Sequence, residues 1–359
     1  MPGRTAAIGI LLGIAASLTG SQPSRAADAP DDTPVDVPRL VLTFYYPWYG
    51  NPAAKGGSGR WFHWEGVDEP NRAIANSTNY PKLGAYDSHD PEVIARHCTW
   101  AKQAGIDGFI VSWWGAGTFE DLALPRILDA CAEAGLAATI YYETVPGAPK
   151  TARSAENDLR RILERHAAHP AWLKVDRRPV VFIYGRAVGE IGLKGWAQVV
   201  SRLKDGQGPA PLLIGDAITP EAAVVFDGLH SYNTAGHLRG KEADQVRSWA
   251  ATTYPTWVQT ARQAGRIGTL TVIPGYDDTK IRKPGLAVGR FSGEVYNVQW
   301  EAAISAAPDW VLITSWNEWH EGSEIEPSIE GGDRYLKLTA EHAARFKAQH
   351  ADRASDPAP

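Results

Sequence analysis

The chain has 359 residues, 44% of them hydrophobic and 21% charged, with a formal net charge of -5. This is the composition of a soluble globular protein, and a weakly acidic balance without a basic run argues against nucleic acid or an anionic membrane as partner. The length admits two or three average domains, or a single α/β barrel of about 250 residues with extensions.

The amino terminus carries Arg4, a mostly apolar run from Ala6 to Leu18, and then Ser24-Arg25-Ala26, with small residues spaced as a cleavage site requires. Residues 1–26 are therefore expected to be a secretory signal peptide, with the mature chain starting near Ala27 outside the cell or in a periplasm. The apolar run is too short to cross about 30 Å of hydrocarbon, so no membrane attachment is expected after cleavage. Residues 27–38 include the acidic, proline-rich PDDTPVDVP and read as a linker, residues 39–349 as the folded domain, and residues 350–359 as a disordered tail.

Eight β-branched or aromatic runs follow in order: Leu40 to Tyr46, Gly108 to Trp113, Ala137 to Glu143, Pro179 to Tyr184, Pro211 to Gly215, Phe226 to Tyr232, Leu270 to Gly275 and Trp310 to Trp316. Their near-continuous apolar character suits strands covered on both faces. Helical segments alternate with them. The first is signalled by Asp90-Pro91-Glu92, an N-cap acid before a proline at the first helical position, and it closes at Gly105 with Ile94, Cys98 and Ala101 as its buried stripe. Others are predicted at 120–134, 152–168, 189–204, 242–263, 295–307 and 334–348. Strand then helix, repeated about eight times, is the rhythm of a single (β/α)8 TIM barrel; a doubly wound open sheet usually stops at about six strands.

A barrel puts its chemistry at the carboxyl ends of the strands. Those run-ends carry Tyr45, Tyr46, Trp48 and Tyr49; Trp113 and Trp114; Tyr142 and Glu143; His230 and Tyr232; Tyr276, Asp277 and Asp278; and Trp316, Glu318, Trp319, His320 and Glu321. The loop after the first run spans about 40 residues and holds Trp61, His63 and Trp64, as a functional loop would. Aromatic rings beside acids and amides suit a sugar, which offers a C–H face to stack and hydroxyls to bond. Of the 14 tryptophans, we read Trp172, Trp196, Trp249 and Trp300 as core and those at strand ends as functional. Cys98 and Cys131 each lie on a helical stripe; export permits a disulfide between them, but we read them as two separate buried thiols, since sequence alone does not bring their Cα atoms within bridging distance.

"SWNEWHEGSEIEP", Ser315 to Pro327, holds four glutamates. Glycosidic cleavage needs a proton donor for the leaving oxygen and a second group to support the positive charge building at the anomeric carbon. Glu318 and Glu321 are three apart, a spacing that puts both on one side of a helical turn but on opposite faces of a strand. We therefore place Asn317 to Gly322 in a turn just past the last strand. Two close acids among tryptophans cannot both ionise freely, so one should stay protonated above the free value of about 4.3 and serve as the acid. Glu324 and Glu326 read as a solvated acidic loop. No G-x-S-x-G elbow, P-loop, G-x-G-x-x-G or H-E-x-x-H occurs, and Asp277-Asp278 reads as a helix cap or a contact to ligand hydroxyls before it reads as a cation site.

The segments FYYPWYGNP, HW, YPKLGAYDSHDPEVI, SWW, PGYDDTKIR and SWNEWHEGSEIEP resemble, in order and over nearly the whole mature chain, the signatures of glycoside hydrolase family 99, the endo-α-mannosidases. The resemblance implies a (β/α)8 barrel with no metal or cofactor, and retaining cleavage at internal α-mannosidic bonds (α-1,2 type) of mannan or mannose-rich glycans. It further implies a substrate-assisted mechanism. Glu318 resembles the base that deprotonates the mannose 2-hydroxyl, which attacks the anomeric carbon to give a 1,2-anhydro sugar. Glu321 resembles the acid that protonates the leaving oxygen and then activates water. Tyr46, His63, Trp114, Glu143 and Tyr232 are implied to line sugar subsites, and the same motifs add Trp64, Arg282, Trp316 and Asn317 as substrate contacts. The chain departs from the family at Tyr141-Tyr142-Glu143-Thr144-Val145, where His-Ile-Glu-Pro-Tyr is usual.

Other readings are a transferase-like protein of surface-polysaccharide synthesis, a hydrolase of another α-linked glycan, and a sugar-binding barrel without catalysis. Export weighs against the first, because nucleotide-sugar donors are made and used inside the cell. The last leaves the paired acids without a purpose. The chain is expected to act as a monomer.

Overall fold

The structure, a computed structural model, describes residues 37–205 and 209–354. The expected signal peptide and nearly all of the linker lie outside the described residues.

Eight parallel strands form the centre: β1 Leu40–Tyr45, β2 Gly108–Trp113, β3 Ala137–Tyr142, β4 Arg178–Ile183, β5 Leu212–Asp216, β6 Gly228–His230, β7 Ile267–Val272 and β8 Trp310–Ile313. β1 pairs with β8 on one side (Leu40 with Trp310) and with β2 on the other (Leu42 with Gly108). The ring closes where β3 meets β4, Tyr141 beside Phe182. This is the expected (β/α)8 barrel, and each strand overlaps one of the eight apolar runs.

Among the described residues the helices of six residues or more are α1 Pro91–Gln103, α2 Phe119–Ala134, α3 Ala152–His166, α4 Gly185–Lys204, α5 Pro220–Val225, α6 Ala243–Gln263, α7 Glu294–Ala306 and α8 Arg334–Ala354. The α1 start is the one read from sequence: the Asp90 carboxylate accepts from the Glu92 N–H at 2.9 Å, with Pro91 in the first turn. The sequence reading has no counterpart of α5. Its six residues are too few to display a helical period, although Thr219 caps it and Pro220 opens it. The last helix continues to Ala354, beyond the boundary drawn near residue 349.

Strand alternation divides the core in two. Leu42, Phe44, Ile110, Tyr141, Val180, Phe182, Ile214, Trp310 and Leu312 fill the barrel. Val41, Tyr45, Phe109, Val111, Trp113, Ile140, Val181, Leu270 and Val311 pack outward against the helices. The two-residue period of the pleat produces this sorting, and it decides which strand-end side chains reach the mouth. Trp172, Trp196 and Trp300 are fully buried as expected. The Cys98 and Cys131 sulfurs, on α1 and α2, lie 3.9 Å apart as free thiols. Among the described residues, no helix is long and apolar enough to cross a membrane.

Candidate active site

The long segment between β1 and α1 arches over the carboxyl end of the barrel, stiffened by an antiparallel pairing of Val67–Asp68 with Ala73–Ile74. Asp87 ties its two ends together by accepting from the N–H groups of Asn51 (2.9 Å) and Ser58 (2.8 Å). The same segment carries Trp48 and His63, whose rings stack at 4.6 Å and 12°.

After β8 the chain enters a short 3-10 turn, Trp319–Glu321, with Glu318 at its amino end and Gly322 left-handed at its close (φ 54). The turn proposed from the glutamate spacing is therefore present. A Cβ at Gly322 would meet the Thr78 hydroxyl at 2.8 Å and the Asp277 backbone at 3.1 Å, so glycine is required both by its φ and by crowding. Buried bonds hold the turn to β1. The Asn317 side chain accepts from the Tyr46 N–H at 2.7 Å and donates to the Tyr46 carbonyl at 3.0 Å. Tyr49 donates its hydroxyl to the Asn317 carbonyl at 3.0 Å and accepts from the Trp319 N–H at 3.1 Å.

Around this turn the structure gathers most of the residues singled out from sequence. Glu321 accepts from Arg282 at 3.0 Å, and the Tyr232 hydroxyl lies 3.5 Å from its second oxygen. Tyr46 and Tyr232 sit in the fields of both Glu318 and Glu321. Trp48 lies 4.6 Å from Tyr46 and 6.5 Å from Trp114. The Trp114 indole donates to the Ser112 hydroxyl at 3.1 Å, which donates to Glu143 at 2.7 Å. Tyr46, His63, Trp114, Glu143, Tyr232, Arg282, Glu318 and Glu321 thus form one continuous patch.

Three expected sugar contacts are elsewhere. Trp316 is fully buried and packs on His97 and Phe109 in the layer facing the helices. β8 ends at Ile313, so the alternation that would aim Trp316 inward does not extend to it. Trp64 stacks on Tyr49 at 3.9 Å and donates its indole N–H to the Tyr86 carbonyl, beneath the mouth. Asn317 is fully buried, with its amide spent on Tyr46 and Tyr86. Trp113 also departs from the functional reading of strand-end tryptophans, since it points outward and bonds Asp121. Nor are Glu324 and Glu326 solvated. Both are buried, Glu324 against Arg290 and Asn79, and Glu326 against His97 and Tyr86.

Two residues of the site, Ser112 and Arg186, are not among those singled out from sequence, and His320 is singled out there only as a strand-end residue without a role. Ser112 links Trp114 to Glu143. Arg186 lies 4.8 Å over the Trp114 ring and 5.6 Å from Tyr184. His320 presents a ring stacked 5.7 Å from His63. Strand parity could have found Ser112, two residues before Trp114. Arg186 offers no signal of its own in the sequence.

Electrostatics set the pair apart from ordinary surface acids. Burial pushes Glu318 well above the usual carboxylate range, and the neighbouring Glu321 charge adds to this, against a single opposing bond from the His320 N–H. Burial also raises Glu321, but the Arg282 guanidinium works against it. Of this coupled pair, Glu318 is held the more firmly in its protonated form, since only Glu321 bonds a cation directly. Burial pushes Glu143 up to about 8. His63 and His320 fall to about 4 by burial, so both rings are neutral acceptors or donors at neutral pH. Such an arrangement can exchange a proton with two oxygens of one bound sugar while aromatic faces hold its C–H surface. A cavity of about 600 Å³ at the other end of the barrel has strand amino ends around it and is lined by Arg160, Glu164, Lys174 and Arg177, with one acid rather than a pair.

Comparison with known proteins places the chain in context. The sequence model of glycosyl hydrolase family 99 matches residues 37–339. A solved endo-alpha-mannosidase from Bacteroides thetaiotaomicron superposes with a TM-score of 0.72 at 26% identity, covering 88% of this chain and 99% of that one. A glycoprotein endo-alpha-1,2-mannosidase of Rattus norvegicus is 27% identical over 86% of this chain and 72% of its own length. A glycoside hydrolase family 5 mannosidase from Rhizomucor miehei, at 9% identity and a TM-score of 0.56, shares the fold alone.

Proposed function

Because the chain belongs to glycosyl hydrolase family 99, and is thereby a glycoside hydrolase, we propose that it cleaves internal α-1,2-mannosidic bonds of a mannan or mannose-rich glycan. The observation that carries this reading is the single turn at the mouth of the barrel that bears Glu318, buried, and Glu321, partly buried and bonded to Arg282. The names borne by the rat and bacterial relatives support the linkage and the endo mode.

In the proposed reaction Glu318 removes the proton of the mannose 2-hydroxyl as O2 attacks the anomeric carbon, and Glu321 protonates the departing oxygen. The product is a 1,2-anhydro sugar. Water, deprotonated by Glu321, then opens it at the anomeric carbon while Glu318 returns the proton to O2. Two inversions give net retention, with no covalent bond to the protein, in contrast to the usual two-carboxylate retaining scheme. These roles need the proton on Glu321, whereas the protein's own field favours Glu318. Substrate corrects this: a 2-hydroxyl donating to Glu318 stabilises its anion, and a glycosidic oxygen accepting from Glu321 stabilises its acid form. Tyr46, Trp48, His63 and Trp114 supply the apolar wall, with Glu143 and Tyr232 as polar contacts. Export through the N-terminal segment and action as a monomer complete the reading.

Digestion of yeast-type α-mannan and of glucosylated high-mannose glycan in plain buffer, followed by NMR, tests the function. The expected products are oligosaccharides released with the α configuration retained at the new reducing end. Release of single mannose units only, β products, or a need for an activated sugar donor would refute it.

A further inference from the structure

The buried residues behind the catalytic turn form one hydrogen-bonded line that reaches the helix layer. The Tyr45 hydroxyl meets His97 Nδ1 at 3.0 Å, and His97 Nε2 meets Glu326 at 3.0 Å. The other Glu326 oxygen accepts from the Tyr86 hydroxyl at 2.8 Å. Tyr86 in turn accepts from Asn317 Nδ2 at 3.0 Å and from the Trp319 indole N–H at 3.1 Å. Tyr45, Tyr86, His97, Glu326, Asn317 and Trp319 are all at most 4% exposed.

The line has a direction. Glu326 only accepts, so the single proton of the Tyr86 hydroxyl is committed to it, and His97 satisfies both its neighbours when its proton is on Nε2. Tyr86 is then left with lone pairs alone for Asn317 and Trp319, both of which donate. Asn317 is thereby kept in the orientation in which its carbonyl oxygen receives the Tyr46 N–H. Asn317 and Trp319 flank Glu318 in the chain, so the orientation of one hydroxyl constrains the backbone on both sides of the proposed base.

We propose that Tyr86, oriented by Glu326 and His97, is a positioning residue that holds the Asn317–Trp319 segment, and with it Glu318, in register with the mouth. The kinetic part of this inference rests on the proposed reaction; the geometric part does not. Displacing a reacting group by about 1 Å costs on the order of 100-fold in rate, so a lost anchor should be read chiefly in kcat.

The test compares Tyr86→Phe, Glu326→Gln and Glu326→Leu with wild type on α-mannan below their unfolding temperatures. Tyr86→Phe is expected to lose about 10- to 100-fold in kcat with KM changed by no more than about twofold. Its Trp319 indole N–H resonance, assigned through Trp319→Phe, should shift. Both Glu326 variants remove the charge, but glutamine keeps an acceptor for Tyr86 and leucine does not, so glutamine should retain the larger share of kcat. Wild-type kcat in Tyr86→Phe, or equal losses in the two Glu326 variants, would overturn the proposal. If Tyr86→Phe does not fold, the glutamine–leucine comparison decides. If wild type leaves α-mannan intact, the substrate reading fails by itself, and an unmoved Trp319 resonance would be what defeats the positioning role.

Discussion

At the residue scale, the pair of glutamates poses a question of roles, because the protein's own field and the proposed chemistry put the proton on different partners. Leaving-group dependence separates them. On the natural linkage, Glu318→Gln and Glu321→Gln should each lose several orders of magnitude in kcat. On an aryl glycoside of the same disaccharide, whose aglycone departs without a proton, Glu321→Gln should recover most of the rate of aglycone release in the first turnover, with later turnover still slowed by the missing base for water, and Glu318→Gln should not. The opposite pattern would exchange acid and base. Glu143 makes a second prediction. Burial raises it to about 8, above its unfolded value, so its contribution to stability is complete below about pH 4.3, falls as pH rises, and is gone once pH passes about 8. Glu143→Gln mimics the protonated form. Relative to this variant, wild type should lose stability by roughly 1 kcal/mol per pH unit between about pH 5 and 8, measured by denaturant melts. Parallel pH curves would refute the raised carboxyl.

At the element scale, what matters is where β8 stops. Ending at Ile313, it releases the chain into the Glu318–Gly322 turn, which sends Glu318 to the mouth and Trp316 to the opposite layer. Gly322 closes that turn left-handed against Thr78 and Asp277. Gly322→Ala should cost about 1–3 kcal/mol in stability and lower kcat together with it, since the added methyl has only rigid or backbone neighbours to push. Unchanged melting and turnover would mean that the turn has slack. Arg290, paired with the buried Glu324 just beyond and donating to the Gly322 carbonyl, braces the same turn. Glu324 thus serves the scaffold, through bonds that the sequence reading, treating it as solvated, did not foresee.

At the scale of the whole molecule, the barrel assembles from strand ends far apart in the chain a site that no local segment contains. Tyr46, Glu143, Tyr232 and Glu321 come from four separate strand ends. The expected signal peptide belongs to this scale too. Amino-terminal sequencing of the mature protein from its host should begin near Ala27, and an intact Met1 would remove the exported reading.

What the sequence by itself determined follows from local rules. The eight apolar runs, the α1 cap at Asp90 and the turn implied by a three-residue glutamate spacing each depend on neighbours a few positions apart, and the resemblance of ordered motifs identified the family. Tertiary structure alone decided the rest. Trp114 faces the mouth and Trp113 the helices because of strand parity, while Trp316 escapes that parity because its strand has ended. Glu324 and Glu326 lie inside because Arg290, Asn79, His97 and Tyr86 arrive from far along the chain to satisfy them. A buried polar group is tolerated only where partners meet it, and which partners arrive depends on how the barrel closes.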